Sequence, residues 1–343
     1  MRRAGQQHGL SEFGDLFLPN EAVEPILAKP VRSALLNWLT EIFAESELRA
    51  VGIGPRRRAL FDGPPGVGKT TLAHHLAARL GLPMLAVRPE TLIDSWIGST
   101  GRNIGALFDM AAEPFSMDGS GESGVPVVLF LDEFDAIAGK RRSAHQAADN
   151  ARNEWVNTLL QRIEQHDGFL IAATNFGKEI DPAVWRRFDM HITLELPGQL
   201  ERERILARYL EPFGMPRTAI AQLGTAVAGA SPALVRQFCE QLKRQIVIGP
   251  KLGHDMSKRA VVERVIASIG PHPELGKPAL WSAAKADHER DRAIDAMPWP
   301  LPRAGEVTEP REAPPPPPER NVVAFGAAHK AQSASERRNI DHG

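Results

Sequence analysis

The amino-acid sequence predicts an α/β protein: a parallel sheet wrapped by helices on both faces, then a small all-helical domain, then a proline-rich, disordered tail. Three features carry this prediction. Up to residue 197, short apolar, β-branched runs alternate with segments of helical periodicity, the pattern of strand–helix–strand units in a parallel sheet. From Gly198 onward the strand signals stop while helical periodicity continues. From Met297 prolines crowd together, five in a row at Pro314–Pro318, which favours a polyproline II rod and forbids helix or central strand.

The elements follow in order. Residues 30–48 place apolar side chains at helical spacing, and RRRALFDG ends in a short strand. GKTTLAHHLAARLG is a helix closed by Gly81. PMLAVR reads as a strand and NIGALFDMAA as a helix. VPVVLFLDE is an apolar run suited to a strand buried on both faces. ARNEWVNTLLQRIEQH is helical, GFLIAATN is another buried strand and MHITLEL a short final one. ERERILARYLEPF, TAIAQLGTAV, PALVRQFCEQLKRQIVI and SKRAVVERVIASI are the helices of the second domain, the third opened by Ser231-Pro232 as N-cap and first-turn residue. The expected division is an N-terminal extension over 1–24, the large α/β domain over 25–197, the helical domain over 198–270, and a strap with tail over 271–343. After Trp281 only Trp299 and Phe325 offer large aromatic surface, so no core is expected there.

Composition narrows the function. Lys and Arg total 41 against 42 Asp and Glu, a formal net charge of -1, so the whole chain gives no polycation argument for nucleic acid or an anionic membrane. Cys239 is the single cysteine, which suits a reducing cytosol and allows neither an internal disulfide nor a cysteine-based zinc site. The apolar run Val125–Leu131 is too short to span a bilayer, and the N-terminus has no apolar signal region. The expected location is the cytoplasm. The histidines show no HExxH spacing, so no protein-bound zinc is expected.

The chemistry concentrates in three places. Gly63-Pro64-Pro65-Gly66-Val67-Gly68-Lys69-Thr70 matches G-x-x-x-x-G-K-[ST] between a strand and a helix, with Thr71 next on that helix. Glycines let consecutive backbone N–H groups wrap phosphates, the helix N-terminus adds a positive dipole, Lys69 reaches the β- and γ-phosphates, and the Thr70 hydroxyl binds Mg²⁺. The buried strand ending in Asp132-Glu133 supplies a carboxylate for the metal and a general base for water; helix capping by the same pair is the simpler alternative. Asn175, at the tip of the next buried strand, offers an amide to the water or the γ-phosphate, or simply starts a turn.

The succession GPPGVGKTT, SWIGSTGRNIGALFD, VVLFLDEFDAIAGKR, IAATN and IDPAVWRRFD, across about Leu48 to Ile248, resembles the AAA+ ATPases of the P-loop NTPase superfamily. Within them it is similar to the AAA subgroup of ring-forming protein remodellers. The resemblance implies Mg²⁺-dependent hydrolysis of ATP, with Asp132 on the metal, Glu133 as base and Asn175 as the sensor of the γ-phosphate. It implies a homo-oligomeric ring, usually a hexamer, with an arginine finger from each subunit serving its neighbour. Arg187 is the first choice and Arg186 the second, because the two residues that usually separate the paired arginines are missing here. Trp96-Ile97-Gly98 corresponds to the first pore loop, where an aromatic grips an extended chain. The basic run Lys140-Arg141-Arg142 is a second pore loop or a solvated loop. The helical domain becomes a lid over the nucleotide; Arg236 lies a turn deeper than a sensor 2 arginine and reads as a surface residue. The expected function is ATP-driven remodelling, unfolding or disassembly of a protein substrate, with any protease a separate chain. The alternative is a nucleotide-dependent switch or assembly scaffold without threading.

Overall fold

The computed structural model describes residues 10–93, 99–116, 124–139, 147–282 and 287–306. Its sheet has six strands: β1 (Gly14–Phe17), β2 (Arg58–Asp62), β3 (Met84–Val87), β4 (Val128–Leu131), β5 (Leu170–Thr174) and β6 (Met190–Thr193), in spatial order β1-β3-β4-β5-β2-β6. β3, β4, β5, β2 and β6 run parallel, and β1 is an antiparallel edge on β3. The parallel sheet expected from the sequence is therefore present. β1 is an addition: it lies in the stretch read as an N-terminal extension and pairs Gly14 through Phe17 with Val87 through Met84. Four residues are too few for alternation to stand out against a loop.

Alternation does explain the central strands. Successive side chains of a strand point to opposite faces, and here both faces are covered. In β4, Leu129 and Leu131 enter one hydrophobic cluster and Val128 and Phe130 the other. In β5, Leu170 and Ala172 oppose Ile171 and Ala173 in the same way. The first cluster is closed by α5 (Ser99–Ala111), α6 (Phe134–Ala138) and α7 (Ala147–Gln165), through Ile104, Leu107, Phe134, Ile137, Val156 and Leu159. The second is closed by α1 (Lys29–Phe43) and α3 (Lys69–Arg79), with Leu72, Ala73, Leu76 and Ala77 forming an i, i+4 stripe on α3. Two short helices, α2 (Glu45–Ala50) and α4 (Pro89–Leu92), fill the connections around β2 and β3.

A third cluster belongs to the helical layer. After α8 (Pro182–Trp185) and β6 come α9 (Gln199–Leu210), α10 (Arg217–Ala226), α11 (Pro232–Ile248) and α12 (Lys258–Ser268), packed around Leu206, Leu223, Phe238, Cys239 and Val262. The Ser231 hydroxyl accepts from the Leu234 N–H at 3.3 Å, the N-cap read from the sequence. One expectation is corrected here. Residues beyond Trp281 do contribute to a core: α13 (Asp287–Ala296) lies on α10, and Ala293, Ile294, Met297 and Leu301 are buried in this cluster. Trp281 and Trp299 donate to the carbonyls of Ile269 (3.0 Å) and Met256 (2.7 Å), and Lys258 Nζ donates to the carbonyls of Asp295 and Met297 (both 2.9 Å). The reading failed because DHERDRAIDA is mostly charged and shows only a narrow apolar stripe. Among the described residues no helix is long and apolar enough to cross a membrane. Trp96, Ile97, Gly98, Lys140-Arg141-Arg142 and the proline-rich tail lie outside the described residues.

Candidate active site at the carboxyl edge of the sheet

The order β4-β5-β2 puts three strand ends side by side. Asp62 of β2 pairs in register with Thr174 of β5, and Leu131 of β4 with Ala172. Strands lie about 4.8 Å apart, so the loop after Asp62, the acids after Leu131 and Asn175 gather within two strand spacings. They are 62 and 106 residues apart in the chain for the pairs that touch.

The loop from Gly63 to Gly68 turns the chain from β2 into α3. A Cβ on Gly63 would stand 2.2 Å from the Leu194 carbonyl oxygen, so only glycine fits where β6 ends against the loop. Gly66 has φ +76°, and a Cβ there would meet Ser231 Oγ at 2.9 Å. Its carbonyl accepts from the Ala233 N–H at 3.1 Å. The first turn of α11 thus rests on the glycine loop, which joins the helical layer to the site. Pro64, Pro65 and Val67 shape the loop between these points, Val67 packing on the second cluster and Gly68 preceding the first turn of α3.

Lys69 is 7% exposed. Its ammonium donates to the Gly63 carbonyl (2.6 Å), the Pro64 carbonyl (3.1 Å) and Asn175 Oδ1 (2.6 Å), using all three of its protons. Burial holds its pKa below the usual lysine range, against the opposing pull of Asp132, Asp62 and Asp135. Thr70 Oγ1 donates to Asp132 Oδ2 at 2.8 Å. Thr71 is exposed in the same first turn of α3. Asp132 Oδ1 accepts from the Glu133 N–H at 2.9 Å. Glu133 is exposed and adopts φ 46°, ψ 44°, the one positive φ at a non-glycine position among the described residues.

Two carboxylates missed in the sequence complete this edge. Asp62 Oδ1 accepts from the Gly177 N–H at 3.2 Å, and Asp135 Oδ1 accepts from Thr174 Oγ1 at 2.6 Å. Both sit inside motifs already noticed, one residue before the glycine loop and two after Glu133, but nothing in the linear pattern says that they converge on the turn at Asn175.

The structure sets Arg186 and Arg187 apart from this group. Asp181 caps α8 by accepting from the Ala183 N–H, and the two arginines follow that helix. Arg187 pairs with Glu164 of α7, and Arg186 is exposed. The Asp189 N–H donates to the carbonyl of Arg58, the first residue of β2. The arginines therefore stand at the amino edge of the sheet, with the four residue steps of β2, about 13 Å, between that edge and the glycine loop. Arg236 is solvent-facing on α11: Nε donates to Glu240 at 2.8 Å and the guanidinium lies over the Tyr209 ring.

Comparison with known proteins agrees with this geometry. Residues 59–196 match the model of the ATPase family associated with various cellular activities (AAA). The chain is 36% identical over 219 residues to the AAA family ATPase y4kL of Sinorhizobium fredii, covering 62% of this chain and 61% of that protein. It is 34% identical over 256 residues to the ATP-dependent zinc metalloprotease FtsH 1 of Symbiobacterium thermophilum, covering 73% and 41%. It is also 34% identical over 202 residues to the proteasome-activating nucleotidase of Pyrococcus horikoshii, covering 55% and 46%. The chain thus spans between 41% and 61% of the length of these relatives. The matched segment 59–196 contains every strand end gathered at this edge, and that segment is similar to the ATPase domain of the AAA family.

Proposed function

We propose that the protein hydrolyses ATP in a homo-oligomeric ring, a hexamer in the simplest case, and uses the cycle to remodel, unfold or disassemble a protein substrate. The observation that carries the hydrolytic part is the convergence of Lys69 on Asn175 and of Thr70 on Asp132 at one sheet edge. The three acceptors now held by Lys69 are neutral oxygens, which anionic β- and γ-phosphate oxygens displace readily. The adjacent hydroxyl of Thr70 and carboxylate of Asp132 are hard oxygen donors suited to Mg²⁺, which supplies charge neutralisation on the phosphates when bound. Glu133 takes a proton from the attacking water, and the Asn175 amide orients that water or the γ-phosphate. Arg187, with Arg186 as second choice, serves the neighbouring subunit: the amino-edge position described above puts both out of reach of their own glycine loop, which supports action in trans. The names of the FtsH and proteasome-activating relatives support a protein substrate, and Trp96-Ile97-Gly98 is assigned to gripping it. In this reading any protease that receives the substrate is a separate chain.

The test is the ATPase rate per subunit against protein concentration, with light scattering in ATP. A rate that rises as rings assemble, falls about 10³-fold in Arg187→Ala and nearly vanishes in Glu133→Gln while the rings persist is the expected result. A concentration-independent rate from a monomer, unchanged by Arg187→Ala, overturns the ring. Trp96→Ala separates remodeller from switch: a threading machine keeps its ATPase and loses substrate processing, and a switch loses neither.

A further inference from the structure

We propose that Asp135 and Thr174 form a positioning relay that aims Asn175, and that this relay ties the turn carrying Asn175 to the helix that begins at Glu133. The inference rests on the ATPase reading above and adds two residues which that reading does not use.

The bonds form a chain with one direction. Thr174 is fully buried at the end of β5, and its hydroxyl donates its single proton to Asp135 Oδ1 at 2.6 Å. A hydroxyl has one donor and two acceptor lone pairs. With the proton committed to the carboxylate, the lone pairs are free to accept, and the Phe176 N–H donates to Thr174 Oγ1 at 3.0 Å. The next N–H, of Gly177, donates to Asp62 Oδ1 at 3.2 Å. A Cβ on Gly177 would lie 2.7 Å from Asp62 Cγ, so that approach has no slack. Asn175 is therefore held by its preceding side chain and by the two amides that follow it. Its own Oδ1 is already on Lys69.

The anchors come from different motifs. Asp62 immediately precedes the glycine loop, and Asp135 lies in the first turn of α6, two residues after Glu133. Glu133 is the residue that enters α6 in the left-handed conformation. Any shift of that turn moves Asp135, and through Thr174 it moves the backbone on which Asn175 sits. The Thr174 hydroxyl thus acts through the placement of another residue, and its loss shows in turnover more than in nucleotide binding.

The experiment uses the full chain, with mant-ADP affinity, steady-state ATPase and thermal unfolding measured on Thr174→Val, Thr174→Ser, Asp135→Ala and the double variant Thr174→Val/Asp135→Ala. Valine keeps the shape and removes the hydroxyl. Misplacement of a reacting group by about 1 Å lowers rate about 10²-fold, so kcat is expected to drop between about 10- and 100-fold in Thr174→Val, with mant-ADP affinity within about 2-fold of wild type. Thr174→Ser is expected to recover most of the loss, and the double variant to be no slower than the worse single variant, because residues acting as one unit are not additive. Unchanged kcat in Thr174→Val, serine as slow as valine, or effects that multiply in the double variant overturns the relay. Absent ATPase in wild type with intact mant-ADP binding overturns the hydrolytic reading instead.

Discussion

Glu133 offers a perturbation whose sign differs for stability and for activity. Its backbone lies at φ 46°, ψ 44°, where an L-residue pays about 1–2 kcal/mol because its Cβ crowds the following carbonyl. Glycine has no such conflict, but it gives up about 0.5–1 kcal/mol more chain entropy than alanine on folding. The difference between the midpoints of these two ranges leaves Glu133→Gly more stable than Glu133→Ala by about 0.75 kcal/mol, with both side chains equally absent from the site. Urea denaturation without added nucleotide reads this directly as a higher midpoint at constant slope. Both variants are expected to lose turnover by about 10²–10⁴-fold, the usual contribution of a general base. The protein therefore holds its proposed base in a strained conformation that a better-folding residue would relieve, a pattern that clusters at active sites. A glycine variant no more stable than the alanine variant refutes the argument from strain, and one that keeps full turnover removes Glu133 from its role.

Other outcomes follow from single positions. Gly66→Ala forces a side chain into φ +76° with Ser231 Oγ 2.9 Å away; a loss of about 1–2 kcal/mol in unfolding free energy and weaker mant-ADP binding are expected, because the same contact seats α11 on the glycine loop. The Cys239 thiol is buried in the helical cluster, which pushes its pKa up to about 12. It is expected to resist a thiol reagent at pH 8 until the protein is unfolded, and rapid native labelling counts against that core. His166 is 9% exposed, stands edge-on to Phe108, and burial lowers its pKa. The unfolded chain then binds a proton that the folded chain refuses, so this contribution is intact above the unfolded histidine pKa of about 6.5 and is lost as pH falls below it. His166→Phe is expected to flatten the fall in stability below about pH 6.5 by at most about 1.4 kcal/mol per pH unit, with His75, also lowered chiefly by burial, supplying part of what remains. An unchanged pH profile in the variant would show that His166 does not carry it.

Much of the candidate site was legible in the linear chain because its parts are local. The glycine loop from Gly63 to Gly68 with Lys69 and Thr70 needs only a strand before it and a helix after it, and Asp132-Glu133 needs only a buried strand. The double burial of β4 and β5 was legible as well, since a strand covered on both faces reads as one unbroken apolar run. What the chain order could not decide was which strand ends meet. That depends on the crossover order β4-β5-β2, which brings Asn175 onto Lys69 and Asp62 onto Gly177 across more than a hundred residues. The roles of Asp62 and Asp135 stayed hidden for the same reason, each being a hydrogen-bond acceptor for a turn elsewhere in the chain. β1 and α13 were missed because their stabilisation is borrowed: a four-residue edge strand and a highly charged helix acquire their structure from β3 and from the helical core. Local propensity thus determined the motifs, and tertiary packing alone decided which of them face one another.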